Sequence, residues 1–285
     1  MNGRRLGRSA WLLLPTLLFV LLFFLAPLSL LVWGSLHVDE PGVDVSHRFT
    51  LAYYSSLLTD PHYLKTLWTS LRVAAAATLV CLLIGYPLAY LIARASPRAQ
   101  LGLLIIVFAP LFVGVVVRAF AWSIMLRSDG PVNTVLLALG LLKAPVRLLF
   151  TEAGLIMALT HVFLPLMVLP VASVIQRIDP HLDEAGATLG AAPLRRFFRL
   201  LLPLSLPGVA AGCALVFCLS ISAYVIPTLV AGERLLVMPV LVAQNFGITM
   251  NWPRGSAAAI VLVTLTSVVI VVNSLATERK RESES

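Results

Sequence analysis

The residues best suited to a specific interaction lie together in one polar segment, 177–203, between long apolar stretches. Asp179 can cap a helix that has a proline in its first turn. The acidic side chains of Asp183 and Glu184 would then lie near the positive end of that helix, and Gly190 can end it. The pattern predicts a short helix, followed by a second short, arginine-bearing helix.

The predicted helix is suited to docking rather than to covalent chemistry. Ala185 and Gly186 carry no bulky side chain, so the helix can seat closely in a groove of another protein, and Glu184 adds one directional charge. The alternative is an ordinary loop helix, with Arg195 and Arg196 lying at lipid headgroups. The residues by themselves leave both interpretations open.

A second candidate is a cation within an apolar stretch. Arg118 lies far from either end of its stretch, and such a residue faces the interior of a helix bundle or a water-filled cavity. It either pairs structurally or meets an anionic or zwitterionic solute. The aromatic residues Tyr86, Trp122 and Tyr224 are candidates for a solute pathway, with packing or interface anchoring as the alternative. The apolar stretches carry no aspartate or glutamate at mid-depth.

The common catalytic motifs are absent from the sequence. It contains no G-x-x-x-x-G-K-[ST] phosphate loop, no H-E-x-x-H and no G-x-S-x-G. Cys81, Cys213 and Cys218 sit in apolar runs without metal-ligand spacing, which indicates small buried side chains rather than a metal site or a disulfide. We therefore expect no catalytic residue, no metal and no cofactor in this chain.

The composition is that of a membrane protein. Of the 285 residues, 59% are hydrophobic and only 12% are charged, whereas soluble domains carry about 25% charge. The formal net charge of +8 is spread over several loops, so nucleic-acid binding is not indicated.

Six charge-poor stretches are long enough to cross a bilayer, which needs about 20 apolar residues. The predicted spans are about 10–34, 67–93, 100–126, 152–176, 204–230 and 255–277, the third interrupted by an arginine. A shorter apolar segment, 131–142, is expected along the external interface. The chain is thus predicted to be all-α and polytopic, a single domain over 1–285.

The distribution of basic residues predicts the sidedness. An even number of spans places both termini on one face, and that face holds twelve lysines and arginines, against seven on the other. By the positive-inside rule the termini are cytoplasmic, and so is the segment 177–203. The run 11–36 after the first arginines is too long for a signal peptide's apolar region, so we expect it to be retained as the first span.

The same segment resembles the EAA motif of binding-protein-dependent ABC importer permeases. That motif is Glu-Ala-Ala, three residues, Gly, nine residues and then Ile-x-Leu-Pro. The matching positions are Glu184, Ala185, Gly190, Leu202 and Pro203, and the departing ones are Gly186 and Leu200. Because glycine has low helix propensity, Gly186 is expected to make the helix less stable.

The likeness extends over most of the chain, and points in particular to the first-permease type of polyamine (spermidine/putrescine) importers. It is carried by Cys81-Leu82-Leu83-Ile84-Gly85-Tyr86-Pro87, Arg118-Ala119-Phe120, the run from Leu204 to Cys213, and Asn251-Trp252-Pro253. Permeases for other small organic solutes and for metal complexes share these stretches.

The resemblance implies a type I ABC importer permease fold in a bacterial inner membrane. The EAA helix would dock a separate cytoplasmic ATPase dimer, which binds ATP and Mg²⁺, through Asp183, Glu184, Ala185, Gly186, Gly190, Leu202 and Pro203. A second permease, expected to form a heterodimer with this chain, and an external solute-binding protein facing loops such as 35–66 and 231–254 would complete the importer. Two alternatives are an ion-coupled secondary transporter and a membrane enzyme. The first would usually carry acidic residues within its spans, and the second would need a set of catalytic residues; the sequence shows neither feature.

Overall fold

The computed structural model describes residues 15–38 and 49–282. We number its helices in chain order. They are α1 (Pro15–Ser35), α2 (Ala52–Thr59), α3 (Pro61–Arg94), α4 (Pro97–Phe108), α5 (Val115–Met125), α6 (Pro131–Ala138), α7 (Glu152–Ile175), α8 (His181–Thr188), α9 (Pro193–Ile221), α10 (Val225–Val230), α11 (Met238–Gly247) and α12 (Trp252–Glu282).

The prediction of six membrane spans is confirmed, with one of them broken. Among the described residues, five helices are long and apolar enough to cross a membrane, namely α1, α3, α7, α9 and the stretch Trp252–Leu275 of α12. The sixth span is the pair α4 and α5, in which a sharp bend separates the two helices. The predicted start of the first span at residue 10 lies outside the described residues.

The third span differs from the continuous helix predicted over 100–126. After α4 the chain makes a 3₁₀ turn over Ala109–Phe112 and Val113 becomes extended, so the helices on either side meet at 96°. Pro110 lies within that turn and has no N–H to donate to the preceding helical turn, which favours a break here. The break places Arg118 near the start of α5 rather than in the middle of a straight span.

The fifth span is also shifted from its predicted range, 204–230. It begins at Pro193, continues through a π-helical turn over Phe197–Leu201, and ends at Ile221. The next helix, α10, begins separately at Val225, and Pro227 favours this break because it cannot donate a backbone hydrogen bond to the carbonyl of Ala223. The predicted second short helix and the fifth span are therefore one helix, α9.

Helices α7 and α9 pack closely along each other. A Cβ atom built on Gly208 would lie 2.8 Å from the carbonyl oxygen of Pro170, and one on Gly212 would lie 2.7 Å from Sδ of Met167. This confirms that the two glycines form a small-residue contact. In a membrane, where van der Waals packing drives helix association, such contacts hold a bundle together.

The described chain divides into two compact units, one of 65–240 with 265–282 and one of the remaining residues. In the smaller unit, Ser35 Oγ lies 2.6 Å from the hydroxyl of Tyr54, which ties the end of α1 to α2. The guanidinium of Arg254 lies over the ring of Tyr63, 5.7 Å from its centroid. The prediction of one permease domain over 1–285 stays a prediction.

Two polar side chains in the larger unit, Arg72 and Asn133, make contacts between separate parts of the chain. Arg72 Nη2 lies 2.5 Å from Glu152 Oε2, pairing α3 with the first residue of α7. The side chain of Asn133 is buried and bonds to the carbonyls of Arg127 and Val146, at 2.9 Å each. The bonds of Asn133 hold α6 against the neighbouring turns. The predicted position of the apolar segment 131–142 along the external interface stays a prediction.

Candidate functional site

The predicted docking helix is present as α8. Asp179 Oδ1 accepts a hydrogen bond from the N–H of His181 at 2.9 Å, so it caps the first turn as expected. Gly190 has φ +77°, and the N–H of the next residue, Ala191, bonds to the carbonyl of Gly186 at 3.1 Å. Glycine adopts this left-handed conformation without strain, which ends the helix. Local rules therefore account for both ends of α8.

One face of α8 is free for a partner. The side chain of Glu184 is 72% exposed, Ala185 is exposed, and Leu189 is 87% exposed at the end of the helix. A surface of small and apolar groups around one carboxylate can fit closely into a groove and still have a preferred orientation. Glu184, Ala185 and Gly190 are thus exposed in the described chain, and their docking role stays a prediction.

The opposite side of α8 faces its own chain. Arg196, in the first turn of α9, donates through Nη1 to the carbonyl oxygen of Asp183 at 2.9 Å and to Asp183 Oδ2 at 2.8 Å. A Cβ atom on Gly186 would lie 3.2 Å from Cδ of the same arginine. Asp183 and Gly186, both expected at the docking surface, therefore contact Arg196.

Leu202 and Pro203 lie at the joint between the π-helical turn and the rest of α9. The N–H of Leu202 bonds to the carbonyl of Phe197, as the wider π-helical turn requires. Leu202 packs against the buried cluster that includes Ile92 and Val171. Both residues are only partly exposed. They lie inside the fifth span, where its π-helical turn meets the rest of α9, and their expected part in coupling stays a prediction.

A second arginine ties the start of the same segment to the bundle. Arg94, the last residue of α3, donates through Nη1 to the carbonyl oxygen of Ile178 at 3.1 Å. Residue 178 follows the end of α7 and precedes α8. The segment is therefore held to α3 at Ile178, and its first helix, α8, is held to α9 at Asp183.

The four pathway candidates lie in different surroundings. Tyr86 is buried, its hydroxyl lies 2.8 Å from Ser205 Oγ, and its ring meets the edge of Phe197, which makes it a packing contact between α3 and α9. Tyr224 is 47% exposed just before α10. These two do not form a shared site with the other candidates.

The other two candidates, Arg118 and Trp122, are four residues apart on α5. Trp122 Nε1 donates to His161 Nδ1 of α7 at 3.2 Å, a contact between residues 39 positions apart. Within the described part of the chain, Arg118 Nε and Nη1 are buried and have no hydrogen-bond partner. These two nitrogens of Arg118 could therefore still donate hydrogen bonds to a group outside the described residues.

Sequence reasoning missed Arg94 and Arg196 as contributors to the site. The basic side chain of Arg196 comes 13 residues after Asp183, across a glycine turn. Opposite charges on two helices joined by a short turn indicate that an ion pair can form between the helices. They do not indicate which of several arginines forms it. Arg195 carries the same charge and is exposed.

We predict that the imidazole of His181 titrates above its ordinary pKa of 6.5, because its hydrogen bond to Glu184 raises the pKa and the charges of Asp179 and Glu184 add to it. His181 Nδ1 and Glu184 Oε2 are 3.1 Å apart. Protonated His181 therefore stabilises the folded helix. This stabilisation is fully present when the pH is below the ordinary pKa of 6.5, and it is lost as the pH rises through the raised pKa of the folded state. NMR titration of labelled histidine should show the raised midpoint, and Glu184→Gln should lower it; an unchanged midpoint would contradict the contact.

Comparison with known proteins agrees with this geometry. Residues 85–281 match the family described as binding-protein-dependent transport system inner membrane component. The spermidine/putrescine transport system permease protein PotB of Haemophilus influenzae is 36% identical over 253 residues, 88% of each chain. PotB of Escherichia coli is 33% identical over 254 residues, 89% of this chain and 92% of that protein.

A solved structure has the same fold. One chain in the crystal structure of a bacterial alginate ABC transporter, in complex with an alginate pentasaccharide-bound periplasmic protein, superimposes with a TM-score of 0.77. The superposition covers 97% of this chain and 96% of that chain, at 18% sequence identity. The expected type I ABC importer permease fold is therefore confirmed.

Proposed function

Because the chain belongs to the family of inner membrane components of binding-protein-dependent transport systems, we propose that it is the permease subunit of a polyamine importer driven by a separate ATPase. The family makes it a multi-pass protein of the inner membrane, and a transporter subunit rather than an enzyme. The proposal concerns its solute, its partners and the residues that couple it to ATP hydrolysis.

The observation that carries the coupling role is the exposed face of α8. Glu184 and Ala185 are exposed on a helix between the fourth and fifth spans. A cytoplasmic ATPase dimer that holds this helix in a cleft would displace it when ATP and Mg²⁺ bring the nucleotide-binding subunits together. The spans would then move from an inward-facing to an outward-facing arrangement.

The remaining partners follow from the family and the span count. Six spans are half of a twelve-helix translocation unit, so a second permease, in a heterodimer, would complete the pathway. A periplasmic solute-binding protein would deliver the solute to the outward loops. In this arrangement both termini and α8 are cytoplasmic, in keeping with the distribution of lysines and arginines.

Spermidine or putrescine is the solute best supported by the relatives. The two PotB proteins are 36% and 33% identical to this chain over nearly its whole length. Arg118 favours the second candidate, an anionic or zwitterionic solute, because its unpartnered buried nitrogens would repel a polycation and attract an anion. An ion-coupled secondary transporter is not favoured, since it would have no use for a docking helix.

We predict that the complete transporter, reconstituted in proteoliposomes with its own ATPase, second permease and solute-binding protein, accumulates labelled spermidine only when ATP is supplied to the cytoplasmic side. Unlabelled putrescine should compete, because a shorter diamine offers the same ammonium groups. A labelled dicarboxylate serves as the matched anionic probe. Uptake of the dicarboxylate without uptake of spermidine would contradict the polyamine assignment and favour the role of Arg118 in solute recognition.

A further inference from the structure

The side chain of Arg196 reaches from the first turn of α9 back to α8. We propose that Arg196 is a positioning residue that locks α8 to the leading end of the fifth span, so that displacement of α8 by the ATPase moves this span. The inference rests on the proposed coupling function of α8. In this arrangement Asp183 pairs with Arg196 within the chain, and Glu184 is the acidic group that faces the partner.

The contacts of Arg196 are suited to holding a helix in a fixed position. One nitrogen, Nη1, is within 2.9 Å of both the backbone carbonyl and the carboxylate of Asp183. A bond to the backbone holds the helix itself, whereas a bond to the carboxylate alone would leave the side-chain torsions free. The arginine side chain is 19% exposed, against 51% for Asp183, so the pair is better shielded than an ordinary surface ion pair.

Gly186 provides the room that this arrangement needs. With a Cβ atom at this position, Cδ and Cγ of Arg196 would lie only 3.2 Å and 3.4 Å from it. The aliphatic stem of the arginine therefore passes directly over the glycine. An alanine here, as in the EAA pattern, would require the arginine stem to move by a few tenths of an ångström.

The covalent connection between the two helices is a weak mechanical link by itself. Only residues 189–192 separate α8 from α9, and among them Gly190 has a positive φ. Such a turn can bend when one helix is pushed. The contact between Arg196 and Asp183 bridges the turn and joins α8 directly to α9.

Movement of α9 would be transmitted into the membrane. The helix is continuous from Pro193 to Ile221, and its contacts through Gly208 and Gly212 pack it against α7. Displacement of α8 would therefore act on a packed pair of spans. Without Arg196, part of that displacement would be absorbed by the turn.

The test uses Arg196→Ala in the complete reconstituted transporter. We expect solute uptake per ATP hydrolysed to fall about tenfold or more, because both hydrogen bonds to Asp183 are lost and one bond to a charged group is worth about a factor of ten. The ATPase should still co-purify with the permease. Arg196→Lys, which keeps a charged donor, should restore much of the loss. Arg195→Ala removes a neighbouring exposed arginine without a described polar contact, and should leave the ratio unchanged.

A double-mutant cycle tests the fit between Gly186 and Arg196. Gly186→Ala should lower the uptake ratio modestly in the natural chain, because the added methyl group displaces the arginine stem by a few tenths of an ångström. In the Arg196→Ala background the same change should have no such effect, since the stem is absent. Equal effects of Gly186→Ala in both backgrounds would contradict the proposed fit.

The outcomes separate this inference from the proposed function. A normal uptake ratio in Arg196→Ala, together with loss of coupling in Glu184→Arg, would overturn only the lock. Normal coupling in both variants would overturn the docking role of α8 itself. If Arg196→Ala prevents assembly, Arg196→Lys decides: an assembled Lys variant that keeps much of the natural uptake ratio supports a positioning role. An assembled but uncoupled Lys variant, or failure of both variants to assemble, overturns it.

Discussion

Replacing Glu184 with arginine is expected to abolish transport-coupled ATP hydrolysis while the permease still inserts into the membrane. The carboxylate is 72% exposed on α8 and takes no part in the packing of the spans. In the docked complex it would be enclosed by the ATPase, where a reversed charge is costly. By analogy with charged groups in other interfaces, affinity for the ATPase should fall roughly a hundredfold.

The measurement is solute-stimulated ATP hydrolysis in proteoliposomes, with the yield of monodisperse permease as the check on insertion. Asp129→Arg is the matched control, because Asp129 is also an exposed acid, 73% exposed, on a turn after α5. Its exposed pair with Arg127 contributes little to stability. Unimpaired coupling in Glu184→Arg would contradict the docking assignment, and equal losses in both variants would point to general charge effects.

Replacing Gly208 with valine is expected to prevent α7 and α9 from packing. The added Cβ would lie 2.8 Å from the backbone oxygen of Pro170 and 3.0 Å from Cγ2 of Val174. A backbone atom in a packed helix cannot move aside as the end of a flexible side chain can. We expect the free energy of unfolding to fall by about 3 kcal/mol or more, at the upper end of the range for overpacked cores.

The midpoint of thermal unfolding in detergent measures this effect. Gly102→Val is the matched control, since Gly102 also lies within a helix and a Cβ there would have no atom within 4 Å. Both substitutions change helix propensity in the same way, so the difference between them isolates the contact with α7. Equal midpoints for the two variants would mean that the close approach of α7 and α9 does not stabilise the fold.

Much of the membrane topology was predictable because it depends on local composition. Runs without charge mark the spans in any arrangement of the helices, since burying a charge in hydrocarbon is costly everywhere along the chain. The break in the third span was not predictable in this way. Pro87, Pro165 and Pro170 lie inside continuous helices, whereas Pro110 lies at a 96° bend. Whether a proline breaks a span depends on which neighbours satisfy the freed carbonyls.

In the candidate site, too, the features set by nearby residues were predictable and those set by the packing of separate helices were not. The cap at Asp179 and the end at Gly190 follow from residues within one or two turns of each other, and both were predictable. The pairing of Arg196 with Asp183 and that of Arg72 with Glu152 depend on how separate helices pack, and the second joins residues 80 positions apart. Gly186 was expected only to weaken the helix, because its benefit appears only when the stem of the arginine passes over it.

Photo-crosslinking from Ala185 tests the central claim, that α8 docks a cytoplasmic ATPase, most directly. A photoreactive amino acid at Ala185 lies on the exposed face of α8, and one at Leu139, which is 67% exposed after α6, lies beyond the intervening fourth span. In the assembled transporter, crosslinks to the ATPase should form from position 185 and not from position 139. Absence of an ATPase crosslink from position 185, or equal crosslinking from both positions, would contradict the claim.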